Sequence, residues 1–216
     1  MRGNAGKLLI LSIGFLLLFS VFLTSQNLAA EVLDSLGFGN LGFYSLAVLY
    51  FVYAFSCFIA TPIVNKCGER FSLTVGSMCY IFYTASFILA SLPGQYPDKE
   101  GSWFASKDFI GFMNITGSII CGFGSAILWV AEGRYISRIA NDSNKGTYNS
   151  VLWAFMQTSQ IIGTLFSALV LKKTSNFNFY CIMSIVGIFA SLFFLFLRPV
   201  GTENEKSEIA ISKVLA

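Results

Sequence analysis

Between Lys7 and Glu31 the chain runs for about 23 residues without a charge. As a helix rising about 1.5 Å per residue, that stretch is about 34 Å long, enough to cross a hydrocarbon core of about 30 Å. Arg2 and Lys7 precede it, so a cleavable signal peptide is the competing reading. The run is longer than a signal core, and Leu28-Ala29-Ala30 makes a poor cleavage site. We read it as a retained transmembrane helix.

The rest of the sequence repeats the pattern. Apolar spans are expected at about 41–64, 71–92, 109–130 (continuing past the membrane surface), 148–171 and 177–197. Only 12% of the 216 residues are charged, 55% are hydrophobic, and mean hydropathy is +0.69. A soluble domain carries about a quarter charged residues, so this chain lacks the polar surface to coat itself against water. The reading is an all-α membrane protein of six transmembrane helices whose principal partner is the lipid bilayer.

Six spans put both termini on one side. Ten of the 14 Lys and Arg fall on that side, against Lys99, Lys107, Lys172 and Lys173 on the other. Positive residues favour the cytoplasmic face, so both termini are expected there, or on the equivalent face of an organelle. The longest connection, 93–108, contains Pro93, Gly94, Pro97 and Gly101 and divides the spans into two groups of three, a 3+3 bundle. Residues 1–200 form this bundle, and 201–216 form a charged cytoplasmic tail expected to be disordered.

Composition also narrows chemistry. With no His, the sequence lacks the commonest general base and metal ligand. Cys57, Cys67, Cys79, Cys121 and Cys181 are scattered, with no CxxC pair, and read as packing residues. The net charge of +3 is dispersed, which excludes a nucleic-acid partner. No nucleophile–base pair, carboxylate pair or phosphate-cradling loop is evident, so no enzyme, cofactor or metal is expected.

Two stretches carry further information. After the second span comes Asn65-Lys66-Cys67-Gly68-Glu69-Arg70. This loop resembles the signature loop of major facilitators, which runs Gly, acid, base, Gly, basic pair. Asn65 stands at the acid, Lys66 at the base, Gly68 at the second Gly and Glu69-Arg70 at the basic pair, while Thr61 replaces the leading Gly. A generic cytoplasmic turn is the alternative. The second stretch holds Gly122, Gly124, Trp129, Glu132, Gly133 and Tyr135, followed by Trp153, Gln157, Gln160 and Gly163. Together with Thr24-Ser25-Gln26-Asn27 and Leu49-Tyr50, it resembles the uncoordinated-ninety-three (ion channel regulatory protein) family of major-facilitator-like membrane proteins, over residues 10 to 198. The resemblance implies one six-helix half of a major-facilitator fold, of the kind built from two three-helix units. Family members typically have twelve spans, so transport by six would need a second half.

Several of these positions have physical readings of their own. Ser118, Gly122 and Ala126 recur every fourth residue, as do Ser159, Gly163 and Ser167, and such ridges let helices approach closely within a bundle or against another chain. Amides are costly in lipid, so the face bearing Ser20, Thr24 and Asn27, that bearing Trp153, Gln157, Gln160 and Thr164, and the neighbouring Gln26 should point into the bundle. Together with Asn114 they would line a polar cavity or serve as interhelical hydrogen-bonding glue. Asn114 opens an Asn-Ile-Thr sequon, but within a span glycosylation is not expected. The resemblance to major facilitators, in which a base of the signature loop pairs with an acid at the foot of the fourth helix, implies an ion pair between Arg70 and Glu132 at the ends of their spans. No charge lies deep in a span, which argues against proton-coupled transport. The resemblance implies a non-enzymatic accessory or regulatory protein, or a structural subunit, acting on other membrane proteins in a heteromeric complex. The alternative is a small-solute transporter working as a homodimer of halves by alternating access.

Overall fold

A computed structural model of the chain describes residues 2–96, 102–198 and 200. The expected tail and the Pro97 and Gly101 portion of the long connection lie outside these residues. Six helices follow one another: α1 (Arg2–Ser35), α2 (Leu41–Cys67), α3 (Glu69–Gln95), α4 (Lys107–Ile139), α5 (Lys145–Leu171) and α6 (Asn176–Leu195), with one 3₁₀ turn at Trp103–Ala105 before α4. All six are long and apolar enough to cross a membrane, and the shortest, α6, has 20 residues. The first five expected spans sit inside these helices, the sixth overruns α6 by two residues at its end, and α4 does continue past its apolar stretch to Ile139.

Local chemistry explains the helix ends. Ser106 caps α4, its Oγ accepting from the Phe109 amide at 3.3 Å, and Ser175 caps α6 in the same way through Asn178 at 3.4 Å. Two boundaries differ from expectation. Pro93 does not end α3, which runs to Gln95. A proline so close to the terminus deletes one backbone hydrogen bond and leaves the last turn otherwise intact. The signature loop contracts to one residue, Gly68, because glycine alone adopts its φ of +82° without a Cβ clash. Asn65 and Lys66 therefore end α2, and Glu69 and Arg70 begin α3.

Packing follows the small residues. α4 lies against α2 and α3, α1 against α5 and α6, and α3 against α6. Exchanging α1, α2 and α3 for α4, α5 and α6 maps these principal pairings onto themselves. At the α2–α4 crossing, a Cβ on Gly122 would sit 2.5 Å from the Leu49 carbonyl oxygen. Gly76 and Gly124 play the same part between α3 and α4. Ser159, Gly163 and Ser167 are buried against α1, and Ser20 Oγ donates to the Ser159 carbonyl at 3.1 Å. Both small-residue ridges thus pack within this bundle.

The centre holds Phe15, Tyr83, Phe87, Tyr180 and Phe194, all fully enclosed. α2 and α5 are the least enclosed helices: 22% of each span is buried, against 67% of α1. Their outward faces carry Phe51, Phe55 and Phe58, and Ile161, Leu165 and Leu169.

Candidate functional site

At one end of the bundle, charges gather where α2, α3 and α4 terminate. Glu69 is the first residue of α3, where the unpaired backbone amides of a helix favour a carboxylate. It is buried, and its Oε1 lies 2.7 Å from Arg134 Nε and 2.9 Å from an Arg138 guanidinium nitrogen. Arg138 also donates to Oε2 at 3.2 Å, and Arg134 donates to the Asn65 side-chain carbonyl. Arg134 and Arg138 are four apart and share a helix face, so one carboxylate meets both.

The expected pair of Arg70 with Glu132 is not among the ion pairs of the described residues. Glu132 is two positions from Arg134, roughly 200° around the helix, so it faces away from the α2–α3 turn. Arg70 and Lys66 are exposed. The roles are exchanged: the acid comes from the α2–α3 turn and the bases from α4. Gly133 faces open space, and the Tyr135 hydroxyl donates to the Arg198 carbonyl at 3.1 Å, tying α4 to the chain after α6.

The polar residues within the spans divide into two sets. Asn114 is glue. It is fully buried, accepts from Ser45 Oγ on α2 and donates to Ser86 Oγ on α3 at 3.1 Å. Thr24 is also buried, beside Gly163 where α1 and α5 touch. Neither belongs to the lining of the aromatic cavity around Trp129 and Trp153. Asn27, Gln157 and Gln160 belong to the other set and are exposed, with Gln157 and Gln160 bordering a cavity between the helices and Asn27 outside its lining. They lie on helices, α1 and α5, whose inward faces are already filled by the small-residue crossing.

Between these helices opens a cavity of about 270 Å³. α1 contributes Phe19, Phe22 and Leu23, and α2 contributes Leu49, Tyr50 and Tyr53. Tyr80 of α3 and Ser125 and Trp129 of α4 continue the wall, and Trp153, Met156, Gln157 and Gln160 of α5 complete it. Trp129 and Trp153 are near parallel with ring centroids 6.0 Å apart, and Phe19 approaches Trp129 at 5.5 Å. Gln26 Nε2 donates to the Tyr50 hydroxyl at 2.9 Å, bracing a lining residue without lining the cavity itself. Of the expected lining residues, Trp153, Gln157 and Gln160 are therefore brought together here, while Thr24, Asn27 and Asn114 are elsewhere.

Most of the aromatic wall was not anticipated. Its only sequence signal is the i, i+3 spacing of Phe19 with Phe22 and of Tyr50 with Tyr53, which in an apolar span reads equally as core. Among the described residues no group of three or more His, Cys, Asp or Glu is placed to hold a metal ion.

Comparison with known proteins bears on this arrangement. A family model described as ion channel regulatory protein UNC-93 matches residues 39–96 and 107–214. The chain belongs to the UNC-93 family.

Its resemblance to UNC93-like protein MFSD11 of Xenopus tropicalis is 29% identity over 216 residues, covering 95% of this chain and 44% of that protein. UNC93-like protein 3 of Arabidopsis thaliana is 26% identical over 93% of this chain and 41% of its own length. Protein unc-93 homolog A of Mus musculus is 30% identical over 81% of this chain and 36% of its own length. This UNC-93 family chain thus spans less than half the length of these relatives. Family membership and six apolar helices make it a multi-pass membrane protein of a regulatory family.

Proposed function

We propose that this UNC-93 family chain is a non-enzymatic accessory subunit that regulates or assembles other membrane proteins. It engages them through the face on which its aromatic cavity opens. One observation carries the reading: Gln157 and Gln160, which line the cavity, are exposed on a bundle built for lipid. An amide facing acyl chains has no hydrogen-bond partner, so this face is made to meet protein or water. The apolar outer surfaces of α2 and α5 flank it and supply contact area. Both termini are assigned to the cytoplasmic side on the Lys and Arg bias, with residues 1–200 acting as one half-bundle.

The test is gentle extraction followed by native mass measurement and identification of the co-purifying chains. A defined heteromeric assembly with an ion channel or receptor, weakened in a Trp153→Ala, Gln157→Ala variant, is the expected result. A chain that stays monomeric in native-like lipid would overturn the reading.

The cavity itself favours a second reading, small-solute transport. The interchange of helix pairings between the first and last three helices supports a 3+3 repeat, the construction on which alternating access depends. A symmetric homodimer that encloses the cavity and takes up solute would favour transport over the accessory role.

A further inference from the structure

We propose that the aromatic cavity binds a weakly hydrated organic cation of the quaternary-ammonium class, with Glu132 as the compensating anion one helical turn away. The proposal rests on the cavity face being functional, as read above, and adds the chemical class of its ligand.

The wall chemistry restricts the occupant. Seven of the lining residues are aromatic, and none is charged. With no Lys or Arg in the lining, an anion has nothing to neutralise it. A small, strongly hydrated cation would have to surrender its water to a wall of rings, two amides and four hydroxyls with no carboxylate, which replaces that water poorly. A quaternary ammonium holds its water weakly and is attracted electrostatically to ring faces, best to indole. Trp129 and Trp153 stand side by side in the wall, and Tyr50 and Tyr53 of α2 line the same cavity.

Glu132 supplies an independent reason. It is 8% exposed, and no ion pair or side-chain hydrogen bond reaches it among the described residues. The ionised form of a buried carboxyl without a counter-charge is unfavourable, and a neighbouring cation is what would stabilise it. The nearby bases, Arg134 and Arg138, are committed to Glu69. Glu132 follows Trp129 by three residues and Ser125 by seven, which puts all three on one face of α4, with neighbours at this spacing about 5–6 Å apart at Cβ. A cation in the cavity would complete the missing pair.

The full chain is reconstituted in vesicles of phosphatidylethanolamine and phosphatidylglycerol, which carry no choline headgroup, in a Trp103→Phe background that confines indole emission to Trp129 and Trp153. Choline and its neutral carbon isostere, dimethylbutanol, are titrated while emission and heat of binding are both recorded, so a spectroscopically silent complex is still detected. Choline should bind saturably and at least about tenfold more tightly than the isostere. Glu132→Gln should weaken choline at least about fivefold and leave the isostere unchanged. Equal affinity for the two, or no saturable binding of choline by the unsubstituted cavity, overturns the proposal without reference to any variant. Because the titration needs no partner, a monomeric chain that discriminates choline sinks only the assembly reading. A heteromeric assembly that fails to discriminate sinks only this one.

Discussion

Glu69 and Arg134 meet at 2.7 Å across the end of the bundle, joining the first residue of α3 to the last two turns of α4. Arg138 approaches the same carboxylate oxygen at 2.9 Å. The acid is buried and each arginine is about a quarter exposed, so solvent screens the arrangement only in part. Removing the shared acid strands two cations.

Glu69→Gln is therefore expected to destabilise the folded chain by about 1–3 kcal/mol, read as a lower unfolding midpoint in detergent. Arg70→Ala, which removes an exposed neighbour, should change stability by about 0.5 kcal/mol or less. Equal losses from the two substitutions would contradict the observed pairing.

At Gly163 an added Cβ would sit 2.6 Å from the Ser20 carbonyl oxygen, a backbone atom that cannot step aside cheaply. Gly163→Ala should force α1 and α5 apart at a cost of about 1–3 kcal/mol. Gly133 and Gly146 have nothing within 4 Å of the corresponding position. Alanine at either should be neutral or stabilising by up to about 1 kcal/mol, since it restricts the unfolded chain. Thermal unfolding of the three variants side by side gives the ordering.

Asn114 holds three helices through Ser45 and Ser86. Asn114→Ala is expected to cost about 1–2 kcal/mol, in the upper range for hydrogen bonds between transmembrane helices. The double variant Asn114→Ala, Ser86→Ala should lose less than the sum of its parts by about 0.5 kcal/mol or more, since both substitutions remove the same bond. Strict additivity would mean the bond contributes nothing.

Cys67 ends α2 beside the Gly68 turn and is exposed, whereas Cys121 is buried. If the Lys and Arg bias sets orientation, a membrane-impermeant maleimide should label Cys67 only after cells are permeabilised, scored in a Cys57→Ser background. Labelling of intact cells would invert the assigned topology. Cys121 should stay unreacted until the chain is unfolded.

The fate of particular residues shows how far the sequence could be read. The six spans were legible because a run of apolar residues long enough for a bilayer is a property of contiguous sequence, independent of what packs beside it. Gly122 and Gly163 were legible as crossing points for a related reason: a small residue every fourth position marks one helix face. Asn114 was recognisable as a polar residue needing a partner, but not as one that finds two. Asn27 is expected in the interior on cost alone, yet α1 commits its inner face to α5 through Ser20 and Gly163 and leaves Asn27 exposed.

The sequence alone determined that lipid is the solvent, how many helices cross it and which helix faces come close. Those are consequences of length, hydropathy and periodicity, all local. Only the tertiary structure decided that Glu69 rather than Glu132 faces the arginines, and that seven aromatic rings from five helices share one cavity. Both outcomes depend on the rotation of each helix about its axis, which is fixed jointly by every neighbour it packs against and is encoded in no single segment.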